Sequence, residues 1–129
     1  MKPLAAMAAT LLALDLLWLG IVAPSFYRSQ IGHLMADKPT WWAAFLFYLV
    51  YTFGVWFFVT QPALAGVAPL RDTLLRGALF GLVCYSAFDL TSQAVLRDWP
   101  VTLTLADLAW GTLLTALVAG AGWWAGQPR

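Results

Sequence analysis

Four long apolar segments dominate the chain, and short stretches rich in Pro, Gly and charged residues separate them. The segments cover approximately residues 3–23, 41–60, 73–96 and 101–124. About 20 apolar residues form a helix long enough to cross a bilayer, where lipid offers the backbone no hydrogen-bond partners. The pattern therefore predicts a single transmembrane domain over residues 1–129, an all-α integral membrane protein with four transmembrane helices in an antiparallel bundle.

The connection between the first two segments has a helical pattern of its own. Tyr27, Ile31, Leu34 and Met35 recur at helical spacing, while polar and charged side chains take the other positions. Such an amphipathic stretch is typical of a helix that lies in the headgroup layer. We therefore predict a short interfacial helix between helices 1 and 2.

Composition narrows the class of protein and its partners. The 129 residues are 62% hydrophobic and 10% charged, which is more apolar than a soluble domain of this size, so the lipid bilayer is the expected partner. A net charge of +1 without a Lys/Arg cluster argues against nucleic acid. One Cys and one His supply neither an internal disulfide nor a zinc ligand set, and no motif implies a cofactor.

Positive charges give a weak prediction of orientation. The seven Lys and Arg residues divide into Lys2, Arg71, Arg76 and Arg129 on the side of the termini, and Arg28, Lys38 and Arg97 on the other. Under the positive-inside rule this small excess favours both termini in the cytoplasm.

Three carboxylates interrupt the apolar segments at one depth. Asp15, Asp89 and Asp107 each lie seven or eight residues from the same membrane surface. A helical rise of about 1.5 Å per residue places them about 10 to 12 Å below that surface. Tyr48 on the second helix falls in the same layer, so one polar side chain from each helix predicts a shared interior site.

Neighbouring side chains extend this predicted cavity. A polar stripe runs along one face of the third helix, comprising Tyr85, Ser86, Asp89, Ser92 and Gln93. Trp18 and Trp110 each follow an Asp by three positions, so they either line the cavity or serve ordinary aromatic packing. The nearest cationic or titratable side chains form its rim: Arg28, His33 and Arg97.

Energetics favour a functional interpretation of the three acids. A charged Asp at a helix centre costs about 2.5 to 3.5 kcal/mol, so the acids must be protonated, paired, hydrated or bound to a cation. Desolvation and repulsion favour the neutral acid, and we expect at least one to be protonated. As metal ligands, Asp15, Asp89 and Asp107 would suit Mg, Ca or Mn. Structural hydrogen bonding between helices is the alternative, although each such bond contributes only about 0.6 kcal/mol.

Three functions remain open from these residues. The first is binding or transport of a cation, a proton or a small amphipathic ligand in a carboxylate-lined cavity. The second is an enzyme that acts on a lipid or isoprenoid by Asp acid/base chemistry. The sequence contains no nucleophile motif or phosphate-binding motif that supports this hypothesis. The third is an assembly subunit. A homodimer would enlarge the cavity, with Gly77 and Gly122 as candidate contacts, whereas ordinary backbone packing between helices is the interpretation that we favour for these glycines.

Five short motifs carry a resemblance to a known family. They are Asp15-Leu-Leu-Trp-Leu-Gly20, Phe26-Tyr27-Arg28, Phe88-Asp89-Leu90-Thr91, Trp99-Pro100 and Asp107-Leu108-Ala109-Trp110-Gly111. In this order the chain resembles, over essentially its whole length, the bacterial membrane-protein family catalogued as "domain of unknown function 2177". The resemblance implies a small four-helix protein of the bacterial inner membrane, and it brings no activity, substrate or cofactor. The family pattern has Tyr and Asn where this chain has Phe88 and Ser92, so a site that uses them would be altered here.

Overall fold

A computed structural model describes residues 1–128, and this range contains helices and no strand. The elements are α1 (Lys2–Ile21), α2 (Ala23–Ile31), α3 (Trp41–Ala65), α4 (Leu70–Val95) and α5 (Val101–Ala125). A 3-10 turn, Gly32–Leu34, follows α2, and α1, α3, α4 and α5 are long and apolar enough to cross a membrane. The predicted all-α membrane bundle with a short helix between the first two spans is confirmed. Arg129, which the charge balance counted, lies outside the described residues.

The bundle has two distinct ends. The end that carries α2 and the α4–α5 connection is called the α2 surface here. At the opposite end, the termini surface, Met1–Pro3 and residues 124–128 line one depression. The most extensive contacts join α5 to α4 and then to α1, so α5 is the central helix of the bundle.

Glycines bring α4 and α5 into close contact. A Cβ added at Gly77 would lie 2.9 Å from the Thr115 carbonyl oxygen, and one at Gly81 would overlap the Gly111 carbonyl oxygen. Gly122 is likewise covered, because a Cβ there would lie 2.5 Å from Met7 Sδ. Gly77 and Gly122 are therefore buried within one chain. The predicted backbone packing between helices is therefore the role of these glycines. Whether the chain forms a homodimer stays a prediction.

The helix α3 continues five residues beyond the predicted end of its span, through Pro62. In a regular α-helix, proline lacks one hydrogen bond and its ring collides with the carbonyl four residues earlier. The preceding segment, Trp56–Thr60, is a π-helical turn, and the N–H of Gln61 reaches the Trp56 carbonyl. This wider turn accommodates Pro62, so the helix extends to Ala65.

An apolar core fills the half of the bundle nearer the termini surface. Its buried side chains come from α1, α3 and α5: Met7, Leu11, Val55, Val59, Leu114, Val118 and Ala119. Along α1, Leu11 lies about 6 Å and Met7 about 12 Å further from the α2 surface than Asp15 does. The acids therefore occupy the half of the bundle nearer the α2 surface.

Candidate functional site

The close contact between α4 and α5 brings two carboxyls together. Asp89 is fully buried, Asp107 is 6% exposed, and the two side chains interact directly. Neither oxygen of Asp89 has a hydrogen-bond partner of normal geometry within residues 1–128. Two buried acids thus lie side by side, and one of them has no donor.

Tyr27 of α2 reaches into the bundle and contacts this pair. Its hydroxyl donates a hydrogen bond to Asp107 Oδ1 and accepts one from Trp18 Nε1 at 3.0 Å. Because an indole N–H can only donate, the Tyr27 proton is directed toward Asp107. Burial, and secondly the bond to Asp107, raises the pKa of Tyr27 above its ordinary value of 10.0, so the phenol stays neutral at pH 7.

Asp15 forms a second, separate centre with α3. The Tyr48 hydroxyl donates a hydrogen bond to Asp15 Oδ2, and both side chains are half-buried. Residues 1–128 contain no group of three or more His, Cys, Asp or Glu side chains that could hold a metal ion. The structure thus does not bring the three candidate metal ligands into one group, because Asp15 pairs with Tyr48 of α3 while Asp89 and Asp107 pair with each other.

Tyr85 of α4 lies between the two centres. It is close enough to interact electrostatically with Asp15, Asp107 and Tyr27. Its ring packs directly against Gly111, where any Cβ would overlap it. Gly111 thus allows an aromatic side chain to occupy the space between the acids of α1 and α5.

Trp18 and Trp110 stack on each other beside the Asp107–Tyr27 contact. Their ring centroids are 4.4 Å apart and their planes differ by 9°. Whereas Trp18 Nε1 bonds to Tyr27, Trp110 Nε1 is buried without an acceptor in the described part of the chain. The stack joins α1 to α5 and fills space that an open cavity would need.

None of the remaining predicted residues is recorded as hydrogen-bonded to an acid within residues 1–128. Gln93 belongs to the α4–α5 connection, where its Nε2 donates to the Trp99 carbonyl at 2.8 Å and its Oε1 accepts from Thr104 Oγ1 at 2.9 Å. Ser92 is buried one turn from Asp89. The predicted rim residues are exposed: Arg28, His33 and Arg97.

Five cavities on the described residues have linings that do not include the three acids. An apolar groove of about 510 Å³ runs between α3 and α4, and another of about 580 Å³ runs between α1 and α3 and reaches Tyr48. None of five such cavities is lined by Asp15, Asp89 or Asp107. Phenol and indole rings surround the acids of both centres, and the carboxylate-lined cavity expected from the sequence is not among these five cavities.

Tyr27 is the site residue that sequence reasoning missed. Tyr27 lies four residues before Ile31, so the helical pattern placed it on the apolar face of the interfacial helix. Because it belongs to a connection, it was also not among the span residues whose depth in the membrane was compared. The Phe26-Tyr27-Arg28 motif was the one signal that singled it out.

These features define a four-helix integral membrane protein whose interior holds two hydrogen-bonded acid centres near one surface. Residues 1–124 match the family described as "Predicted membrane protein (DUF2177)", and the chain belongs to that family. The resemblance carried by the five motifs is therefore confirmed. No curated protein and no solved structure matches the chain.

Proposed function

We propose that the protein binds and releases a proton inside the membrane, at the Asp89–Asp107 pair, as a component of proton-coupled transport. The observation that carries this proposal is the fully buried Asp89 carboxyl, which lies beside Asp107 and has no hydrogen-bond donor. Ionisable residues within membrane spans commonly mark proton relays in pumps and transporters.

The surroundings of the two acids favour a state in which the pair holds one proton. Two buried carboxylates side by side cannot both be charged at low cost, since each charge costs several kcal/mol without a partner. Asp107 accepts a hydrogen bond from Tyr27, which favours its ionised form. Asp89 is buried and accepts none, which favours its neutral form. The proton therefore resides on Asp89.

The geometry favours a proton over the other ligands and reactions. Calcium takes six to eight oxygen ligands and magnesium six, and the third acid lies in a different centre. An enzyme of lipid chemistry would need its substrate to reach the acids, and Tyr27 with the tryptophan stack covers them.

Infrared spectroscopy of the purified protein in lipid vesicles tests the proposal. The wild-type protein should show the C=O stretching band of a protonated carboxylic acid at neutral pH. Asp89→Asn should remove this band, and Asp15→Asn, the same change in the other acid centre, should leave it in place. The absence of the band in the wild-type protein, or its persistence in Asp89→Asn, would refute proton binding at Asp89.

A second candidate function is binding of a small amphipathic molecule. The groove between α1 and α3 is apolar along most of its length and ends at Tyr48, whose hydroxyl bonds to Asp15. An apolar chain in the groove would place a polar group at this hydroxyl. Mass spectrometry of molecules that copurify tests the idea: Tyr48→Phe should lose the bound molecule and Tyr51→Phe should retain it. Equal recovery from both variants would contradict it.

Our proposed location is a bacterial inner membrane with both termini in the cytoplasm. On the termini side Lys2, Arg71 and Arg76 balance the three cations of the other surface, so Arg129 decides the excess. A reporter that is active only in the cytoplasm, fused after Arg129, should be active. An inactive reporter on a folded protein would reverse the orientation.

A further inference from the structure

We infer that the acid pair exchanges protons with water from the α2 surface only, and that Tyr27 is the residue through which these protons pass. The inference rests on the proposed proton binding and specifies the access route to the same site. It assigns a functional role to a residue outside the four spans.

Toward the termini surface, the hydrogen bonds among residues 1–128 form no continuous polar path from the acids. Met7, Leu11, Val55 and Val118 are fully buried there and have no group that can relay a proton. The apolar stretch from Asp15 to Met7 along α1 spans about 12 Å. Apolar packing therefore separates the acids from that surface.

Thr115 and Thr60, two of the buried polar side chains within this apolar half, have local hydrogen-bond partners. Thr115 Oγ1 donates to the Gly111 carbonyl at 2.7 Å and shares a hydrogen bond of 2.5 Å with Tyr51. Nearer the termini surface, Thr60 Oγ1 faces the Ala119 carbonyl at 3.5 Å. Buried apolar side chains, Val55 and Val118 among them, belong to the same core, so these short contacts do not join into a chain.

On the opposite side, Tyr27 links the acids to the membrane surface. It lies on α2, outside the spans, is half-buried, and contacts Asp107 directly. Its neighbour Arg28 is exposed, which places this part of α2 at the polar surface. The acids and phenols that face the cluster from the other helices are Asp89, Asp15, Tyr48 and Tyr85.

The hydrogen bonds define the direction of the proposed transfer. In uptake, a hydronium ion at the α2 surface gives a proton to the Tyr27 oxygen and becomes water. The original Tyr27 O–H bond breaks, and its proton forms an O–H bond on Asp107, so Tyr27 ends neutral. The Asp107 O–H bond then breaks as this proton forms an O–H bond on the adjacent Asp89 carboxylate, so Asp107 ends ionised and Asp89 neutral. Release follows the same steps in reverse. The Trp18 N–H holds the Tyr27 oxygen in place during the exchange.

Hydrogen–deuterium exchange of the protonated acid, followed by infrared spectroscopy, tests the route. Tyr27→Phe keeps the ring and removes the hydroxyl. Exchange should then slow by about tenfold, which corresponds to a barrier increase of about 1.4 kcal/mol. Tyr48→Phe, the same change at the Asp15 centre, should leave the rate unchanged.

A second pair of variants keeps the test decisive where Tyr27→Phe fails to fold. Trp18→Phe removes the N–H that orients Tyr27 and should also slow exchange, while Trp110→Phe, in the same stack, should not. An exchange rate in Tyr27→Phe that equals or exceeds the wild-type rate, or equal rates in the two tryptophan variants, would overturn the access route. In that case the protonated-acid band would persist, so the failure would be distinct from a failure of proton binding itself.

Discussion

Replacing Gly81 by Ala tests the helix contact on which the acid pair depends. The added Cβ would lie 2.5 Å from Thr115 Oγ1 and 2.7 Å from Thr115 Cβ, whereas ordinary contacts begin at 3.4 Å. It would also overlap the Gly111 carbonyl oxygen, which is backbone and cannot rotate away. Relief therefore requires α4 and α5 to separate by about 1 Å.

The expected cost follows from this overlap. Overpacking of a well-packed interior costs about 1 to 3 kcal/mol. The added methyl group also presses on Thr115 Oγ1, which shares a hydrogen bond with Tyr51. We expect Gly81→Ala to lower the free energy of unfolding by about 2 kcal/mol. For a chain of this length, that loss corresponds to a fall in Tm of roughly 5 to 12 °C.

Gly20→Ala is the matched control, because a Cβ at Gly20 would meet nothing within 4 Å. Ala favours a helix over Gly by about 1 kcal/mol, so this variant should be as stable as the wild-type protein or more so. Thermal unfolding of both variants in the same detergent, followed by circular dichroism, measures the difference. Equal melting temperatures would refute the close α4–α5 contact.

Two further pairs of variants test the tryptophan stack beside the acids and the two residues with positive φ in the connections between helices. Trp18→Phe should cost about 0.5 to 1.5 kcal/mol more than Trp110→Phe, because only Trp18 Nε1 has an acceptor; equal melting temperatures would contradict this. Val67→Gly should raise Tm by relieving about 1 kcal/mol of strain, since its φ of 52° is unfavourable for a β-branched residue. Asp98→Gly, at a φ of 61°, should gain less because Asp tolerates this region, and a lower Tm for Val67→Gly would count against the argument.

The depth of the acids was predictable from the sequence, because the helical rise is constant. Both pairs in the structure, Asp15 with Tyr48 and Asp89 with Asp107, join residues assigned to one layer. Depth does not specify which helices are neighbours or which way each side chain points. A single site with three acids was therefore expected, and two centres are observed.

Two other differences arise from backbone geometry that residue patterns do not carry. Only Val22 separates α1 from α2, and the change of direction there brings Tyr27 back to Trp18 of the preceding helix. Pro62 signals a helix end in most contexts, yet the π-helical turn before it allows α3 to continue. Each outcome depends on a local backbone conformation rather than on hydrophobic periodicity.

The two acid centres differ in which interpretation of an intramembrane aspartate they support, the structural one at Asp15 and the functional one at Asp89. Asp15 is half-buried and bonded to Tyr48, as expected of a side chain that joins two helices. Asp89 is fully buried and lacks a donor, although Gln93 one turn away on the same helix carries an amide that is committed to Trp99 instead. A carboxyl retained only for helix contact would gain stability from such a donor. The missing donor at Asp89 supports the proposed proton binding. Under that proposal, Asp89→Asn should fold and should lose the infrared band of the protonated acid.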